Sequence, residues 1–444
     1  MFIQNMTWID NFLLMRRRNP LSLFAKFDLF SWIFLKKILV SLDTMALERT
    51  QYFNSDAIKK FQDLQFFYLL RFACSVIPFW QKKFGVINFL PVLTRGELRE
   101  AFPLCTAATV FPDSFYKEST SGSTGEPVTF LGDFGMLNRR LSIRRRFLRW
   151  INKRPGKVVK IMAKDRRGLE SEGILFSCQS PRELEEKRLA LYPLISGAPV
   201  ILEGVTSFLV HLARLVEREN IATNIQGIIT FGEHVTPPER ELLEKVFRTS
   251  VFRYYASQEI GAIAQECEYH NGLHINSEWL RVEIVDEENQ AVSLGTTGKV
   301  LITTFENKVM PFIRYEIGDR ARFIRGACRC GRMLPRIEFE GRLKDTIVLP
   351  DGRESHFLEI GPAFWKFFDK IQHYQIVQES ADSLYFYVVP RDQNFFTRSI
   401  CQEIESGVLA ILGVSMSVKV FTMDKVPYEQ RGIKLRSFVS KISS

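Results

Sequence analysis

Ser119-Thr120-Ser121-Gly122-Ser123-Thr124-Gly125-Glu126-Pro127 is the stretch on which the reading of this chain turns. Apart from Pro127 it holds no apolar residue, and Ser, Thr and Gly fill nearly all of it. It falls between an extended segment, Tyr116 to Ser119, and the short apolar run Val128-Thr129-Phe130-Leu131. Gly122 and Gly125 open backbone angles that other residues resist. Successive backbone N–H groups, with the hydroxyls of Thr120, Ser121, Ser123 and Thr124, can wrap an anion. The composition therefore suits a phosphate grip, and equally a polar turn between strands. No Gly-Lys-Ser/Thr follows the glycines, so this is not the common nucleotide-triphosphatase loop.

Downstream of the run, residues 137–151 read as a basic amphipathic helix. Strands are expected at 158–163, 198–202, 227–231 and 250–255, alternating with helices at 184–191, 206–218 and 237–247. This alternation predicts an α/β fold: a large domain of mostly parallel sheet flanked by helices. From about residue 273 the texture changes to strands and turns, at 280–285, 298–304 and 321–324, which predicts a β-rich subdomain. Gly341-Arg342-Leu343-Lys344-Asp345 reads as a joint. Beyond it lies a small α+β unit, with strands at 346–349, 372–378, 383–389 and 417–421 and helices at 357–368 and 396–411. Upstream, Phe61, Leu64, Phe67, Leu70 and Phe72 recur at helical spacing, and Thr94 with Glu97 forms a capping box. The expected division is a helical part over 1–90 packed on the large domain, a large domain over 91–340, and a mobile lid over 341–444.

The 444 residues carry a net charge of +10, much of it local: Arg16-Arg17-Arg18, Arg139-Arg140, and Arg144-Arg145-Arg146 with Arg149. Each cluster is expected to be a solvated basic face. A basic surface suits an anionic substrate, anionic lipid or nucleic acid; with no base-reading motif, nucleic acid is not expected. Seven cysteines in a chain this long do not make a disulfide scaffold, which fits a reduced, cytoplasmic setting. The N-terminus is apolar without a clean signal peptide. Leu21 to Leu42 comes nearest to a membrane span, but Lys26, Asp28, Lys36 and Lys37 interrupt it. It reads as helices packed on the domain, with a membrane-surface helix of basic flanks as the alternative.

Further polar clusters follow predicted strands. Phe231-Gly232-Glu233 and Tyr254-Tyr255-Ala256-Ser257-Gln258-Glu259 could face one crevice, since ligands of open parallel sheets sit beyond the carboxyl ends of strands. A ring there can stack on a base, and a carboxylate can hold Mg²⁺ through phosphate oxygens. Arg314-Tyr315-Glu316-Ile317-Gly318-Asp319 offers an Asp able to accept from ribose hydroxyls, and Gly432-Ile433-Lys434-Leu435-Arg436 places cations near the end.

In this order and spacing, the clusters resemble the adenylate-forming superfamily of acyl-CoA synthetases, and within it the phenylacetate–CoA ligase and CapK-like branch. The resemblance runs from about Pro91 to the C-terminus. The branch assignment rests on Glu266-Cys267 with Gly272-Leu273-His274, on Cys328-Arg329-Cys330-Gly331-Arg332, and on Tyr374-Gln375-Ile376-Val377-Gln378. It implies that Thr120, Ser121, Gly122, Ser123, Thr124 and Gly125 hold the ATP phosphates. Gly232 and Glu233 would border the adenine and Tyr255 stack near it, beside Ala256, Ser257 and Gln258. Glu259 would serve Mg²⁺, Asp319 the ribose, Arg342 would stand beside it, Lys344 would mark the hinge, and Lys434 would bridge the carboxylate and the α-phosphate. Cations and Mg²⁺ would offset the repulsion between a carboxylate and a triphosphate.

Several positions depart from the superfamily pattern: Val128 where Lys is common, Ala256 where Gly is usual, Gln258 where Thr is common, and Ile433 inserted before Lys434. Cys267, His270 or His274, Cys328 and Cys330 offer sulfur and imidazole ligands for a closed structural zinc site; His274 matches the Gly-Leu-His pattern of the branch. The activity implied is ATP-dependent activation of a carboxylic acid as acyl-AMP, followed by transfer to CoA or another acceptor. The alternatives are an adenylyltransferase tied to polysaccharide or cofactor modification and a degenerate nucleotide-binding relative. The acid and the oligomeric state stay unassigned, and Lys164, Arg166, Arg167 and His234 are polar candidates for the acid pocket.

Overall fold

The computed structural model describes residues 29–85, 90–107, 115–119, 127–162, 173–342, 345–427 and 437–442. The run Thr120 to Gly125, the pocket candidates Lys164, Arg166 and Arg167, the hinge candidate Lys344 and the late Lys434 lie outside the described residues. What is described on either side of the run is an antiparallel pair, β1 (Phe115–Ser119) and β2 (Thr129–Asp133), with Ser119 opposite Thr129. The two strands thus close the base of the segment. Val128, where the superfamily commonly has Lys, is buried with Phe130 in the core.

The large domain is built on one eleven-stranded sheet. Its members in chain order are β3 (Lys157–Met162), β4 (Ile174–Ser177), β5 (Val200–Val205), β6 (Ile225–Phe231), β7 (Val251–Ser257), β8 (Gly261–Glu266), β9 (Leu273–Ile275), β10 (Leu280–Val285), β11 (Gly298–Thr304), β12 (Tyr315–Phe323) and β13 (Arg336–Arg342). Across the sheet they run β10-β11-β12-β13-β9-β8-β7-β6-β5-β3-β4. The block β4-β3-β5-β6-β7 is parallel, and every pairing beyond β7 is antiparallel. The expected parallel sheet is therefore only half of a mixed one. After Ser257 the chain turns straight back into β8 without the long crossover that a parallel neighbour needs. All six residues of β5 are buried, as suits a parallel strand covered on both faces.

The helix Phe134–Ile151 begins where the Asp133 side chain accepts from Met136 N at 2.8 Å. It corrects the expectation of a solvated basic face. Arg139 pairs with Asp43 at 2.7 Å and Glu306 at 2.9 Å, Arg144 pairs with Glu203, and the fully buried Arg146 donates to Glu278 at 2.7 Å and Asn276 at 2.8 Å. Its guanidinium groups tie sheet and N-terminal helices together from inside; a buried charge is tolerated only with such partners. Of the N-terminal helices Leu29–Thr50, Ser55–Val76 and Pro78–Gly85, the first takes these contacts, at Asp43 and Leu47. The first packs on Phe134–Ile151, and Ser142 Oγ donates to Val40 O at 3.2 Å. Among the described residues no helix is long and apolar enough to cross a membrane.

A separate core, including Ile347, Ile360, Phe364, Ile376, Phe386 and Ile404, organises the C-terminal residues. β14 (Thr346–Val348) pairs with β15 (Glu354–His356), and a four-stranded sheet joins β16 (Ile371–Ser380), β17 (Ser383–Pro390), β18 (Ser417–Thr422) and β19 (Phe438–Ser440) in the order β18-β17-β16-β19. The helix Arg398–Leu412 packs beside β18 and ends on Gly413 in the left-handed conformation. The single helix expected over 357–368 is instead broken into the 3₁₀ turn Phe357–Ile360, the short helix Pro362–Trp365 and the turn Phe368–Lys370. Pro362 cannot donate its backbone nitrogen to the preceding turn.

Candidate functional site

The carboxyl ends of β6 and β7 and the last residues of β13 open onto one cavity of about 260 Å³. Gly232 leaves β6 with φ of +77°, a conformation that favours glycine. Glu233 follows, and its carboxylate accepts from Ser207 N at 2.9 Å and Ser207 Oγ at 3.2 Å. Ser207 lies in the first turn of the helix Thr206–Arg218, where the helix dipole favours an anion. Glu233 is thereby locked to the large domain at the cavity wall.

Across the cavity, Asp319 on β12 stands directly opposite Arg342 on β13. Tyr255, on β7, donates its phenol to Asp319 Oδ2 at 2.7 Å, and Arg342 Nε lies 3.9 Å from Oδ1. Burial nevertheless pushes the Asp319 carboxyl up to about 6, against the pull of Arg342 and Tyr255. Burial and the neighbouring Asp319 raise the Tyr255 phenol well above its ordinary range, so it stays a neutral donor. The Tyr255 ring lies 4.8 Å from that of Phe339, leaving an aromatic wall beside the carboxylate.

Gly232, Glu233, Tyr255, Ala256, Asp319 and Arg342 line this cavity together. Ser257, Gln258 and Glu259 do not; they form the adjoining turn between β7 and β8, towards β1. Ser257 Oγ accepts from Ile260 N at 3.1 Å, which fixes the turn. Gln258 Nε2 donates to Ser119 O at 2.8 Å and reaches Glu118 Oε2 at 3.3 Å. Glu259 is only 4% exposed, and its Oε1 accepts from the Tyr315 phenol at 3.2 Å. Burial, with Glu259 adding to it, holds that phenol far above its ordinary range, so Tyr315 is a neutral donor too. Below the turn, buried Arg140 donates to the carbonyls of Gln258 and Glu259, each at 3.0 Å. Gly261 has φ of +87°, and a Cβ there would come within 2.7 Å of Arg140 Nε.

The C-terminal residues close the cavity. Arg214, on the helix Thr206–Arg218, donates to Ile371 O at 3.0 Å and Gln372 O at 2.8 Å, and its guanidinium carbon sits 5.2 Å from the centroid of the Phe368 ring. Burial and nearby Arg391 bring Arg214 down to about 10, which leaves it cationic at neutral pH. His234, the polar pocket candidate within the described residues, lines the cavity; burial and the cations around it push it down to about 3, so it is neutral. Sequence reading missed Ser207, Arg214, Tyr315 and Phe339. Ser207, Arg214 and Phe339 sit in no motif, Tyr315 stands inside Arg314 to Asp319 with no role assigned to it there, and each acts through a contact between elements distant in the chain.

The cysteine and histidine candidates also come together. The ligand atoms of Cys267, His274, Cys328 and Cys330 all lie within 4.8 Å of one another. Cys267 Sγ is 3.6 Å from Cys328 Sγ, and Cys330 Sγ is 3.4 Å from His274 Nε2. His274 Nδ1 lies 3.1 Å from the Leu334 carbonyl, which directs Nε2 at the sulfurs. His270, the alternative ligand, turns instead to Glu266 at 3.2 Å. A tetrahedral zinc with ~2.3 Å zinc–sulfur bonds separates its sulfurs by about 3.8 Å, so this donor set fits one.

No family model matches the sequence. The chain is 22% identical over 416 residues to the phenylacetate–coenzyme A ligase of Escherichia coli (strain K12), covering 84% of this chain and 92% of that one. It is 21% identical over 339 residues to the phenylacetate–coenzyme A ligase of Pseudomonas putida, covering 69% and 75%. Among solved structures, 2-hydroxyisobutyryl-CoA ligase in the postadenylation state, in complex with R3-HIB-AMP, superposes with a TM-score of 0.73 at 19% identity over 88% of this chain and 92% of that chain. The same ligase in the thioesterification state, with 2-HIB-AMP and CoA, gives 0.54 at 20% identity over 87% and 90%. The fold and the ordered motifs agree with these comparisons: the chain has the fold of the adenylate-forming acyl-CoA ligases and is similar along most of its length to phenylacetate–coenzyme A ligases.

Proposed function

We propose that the protein activates a carboxylic acid with ATP and then transfers the acyl group to CoA. In the first step a carboxylate oxygen attacks the α-phosphorus, the bond to pyrophosphate breaks, and acyl-AMP forms. In the second the thiol, losing its proton, attacks the acyl carbon and AMP leaves. The observation that carries this reading is the grouping of Asp319, Tyr255, Arg342, Gly232 and Glu233 around one cavity beside Glu259. Asp319 suits the ribose hydroxyls as an acceptor, held in place by Tyr255. The Tyr255 and Phe339 rings give the adenine an apolar wall. Glu259, held by Tyr315, would hold Mg²⁺, which supplies charge neutralisation at the phosphates. Thr120 to Gly125 would grip the phosphates, Lys434 would neutralise charge at the reacting carboxylate, and residues 341–444 would turn about Lys344 between the steps. Cys267, His274, Cys328 and Cys330 would hold a structural zinc that joins the turn after β8, β9 and the β12–β13 connection.

Carboxylate-dependent exchange of pyrophosphate into ATP tests the proposal across a panel of acids. Exchange is expected with at least one acid, and Glu259→Gln should lower it by about 10²–10³. Full exchange in that variant would remove Glu259 from its role. ATP binding without exchange for any acid would point to the degenerate relative, and exchange without thioester formation to the adenylyltransferase.

A further inference from the structure

Half of the large apolar side chains exposed among the described residues fall between positions 38 and 68: Ile38, Leu39, Leu42, Met45, Tyr52, Phe53, Leu64, Phe67 and Tyr68. Clusters of this kind mark interaction surfaces, whereas single exposed apolar residues do not. The helix Leu29–Thr50 shows how the cluster is organised. Val40, Thr44 and Leu47 are buried against the body of the protein. The opposite side presents Ile38, Leu42, Met45 and Arg49 at helical spacing, with Lys37 and Leu39 alongside. Both carboxylates of the helix's described side chains are drawn away from that face: Asp43 to Arg139 at 2.7 Å and Glu48 to Arg149 at 2.7 Å. What remains outward is apolar in the middle and cationic at both ends.

The pattern continues past the turn that carries Tyr52 and Phe53. On Ser55–Val76 the exposed Leu64, Phe67 and Tyr68 are flanked by exposed Lys59, Lys60 and Arg71, with Arg71 lying 5.7 Å from the Phe67 ring centroid. Exposed Asp56 and Asp63 are the acidic residues of this helix, and Asp63 pairs with Arg281. Just upstream in sequence stands Arg16-Arg17-Arg18. A partner for this surface must accept apolar side chains between rows of cations. A negatively charged lipid surface does so, taking the rings and aliphatic chains to the acyl boundary and the ammonium and guanidinium groups to its headgroups. With no described helix able to span a bilayer, the contact would lie in the plane of the interface.

We infer that the outward faces of Leu29–Thr50 and Ser55–Val76 dock the protein onto an anionic membrane surface. Co-sedimentation of the full chain with vesicles tests it, using phosphatidylcholine alone and phosphatidylcholine mixed with phosphatidylserine. The protein should sediment with the mixed vesicles, not with phosphatidylcholine alone, and added salt should release it. Replacing Leu42 and Met45 together by Glu should reduce the bound fraction at least about tenfold. The pair Lys37→Glu and Arg49→Glu, which leaves the apolar residues in place, should do the same with melting temperature and adenylate formation unchanged. Equal binding to both vesicle types, or undiminished binding by both variant pairs, would overturn the inference. So would a variant that converts a dimer to a monomer, or one that loses melting stability without losing lipid, because a second copy or the chain itself would then cover the face.

Discussion

Replacing Arg214 by Ala should separate the two chemical steps. Arg214 belongs to the large domain, yet its side chain donates to the carbonyls of Ile371 and Gln372 and stacks over Phe368, all on the C-terminal side. Any turn of residues 341–444 large enough to re-form the site must break these contacts. A hydrogen bond from a charged donor contributes about 1.5–3 kcal/mol net. One of the two here faces solvent and the other is only part-buried, so screening cuts each well below that range, and with the ring contact the total is about 1–2 kcal/mol. At 1.4 kcal/mol per tenfold, that shifts the balance between docked and released arrangements by roughly 5–30-fold. Single-turnover measurements should show adenylate formation slowed by up to that factor. Thioester formation from preformed acyl-adenylate should not slow. Combining Arg214→Ala with Phe368→Ala should cost less than the sum of the two, because the substitutions remove one shared contact. Equal slowing of both steps, or no effect on either, would refute the idea that Arg214 holds the docked arrangement.

Two further outcomes follow from the site. Asp319, raised to about 6, carries its proton below that pH and loses it above. ATP affinity should therefore be level above neutrality and fall as pH drops through about 6, and Asp319→Asn should abolish this pH dependence as measured by calorimetric titration. The sign for folding is opposite: a raised carboxyl pKa stabilises the fold below the ordinary value of 3.8, and that contribution is lost as pH rises through about 6. Elemental analysis of purified protein should find about one zinc per chain, and Cys328→Ser should lower the zinc content and the melting temperature together; less than about half an equivalent in the unaltered protein would exclude the site.

Much of this architecture was legible because helix and strand alternate with clean apolar periods up to Tyr255. The helices 206–218 and 237–247 match the observed bounds, and β6 and β7 carry the polar residues expected at their carboxyl ends. Legibility fell where the sheet turned antiparallel. β8, β9 and β13 are short or rich in polar residues whose partners lie across the sheet, such as Glu266 with Arg253 and Glu338 with Arg253. Periodicity has no access to such pairs. The basic helix misled for a related reason: Arg140 and Arg146 look like solvent-facing charge until carbonyls and carboxylates from distant elements are placed around them. The Asp319–Arg342 pairing likewise depends on the register of β12 against β13.

Gln258 shows how a departure from the superfamily pattern can preserve an arrangement by other means. Thr is common at this position, and a Thr hydroxyl is too short to span between β7 and β1 as the Gln amide does. From the turn after β7, that amide donates to Ser119 O, the last described backbone group before the Ser/Thr/Gly run, and also reaches Glu118. Arg140 holds the same turn from the opposite side through the carbonyls of Gln258 and Glu259. The entry to the proposed phosphate grip and the carboxylate proposed for Mg²⁺ are therefore fixed to one another through two adjacent residues. Displacing the β1–β2 pair would move Ser119 away from Glu259, and moving Glu259 would strain a turn already closed by Gly261 against Arg140. Ser119 and the β1–β2 pair thus belong to the same mechanical unit as Glu259, which is what the proposed site needs if it is to hold a triphosphate and its cation in one fixed geometry.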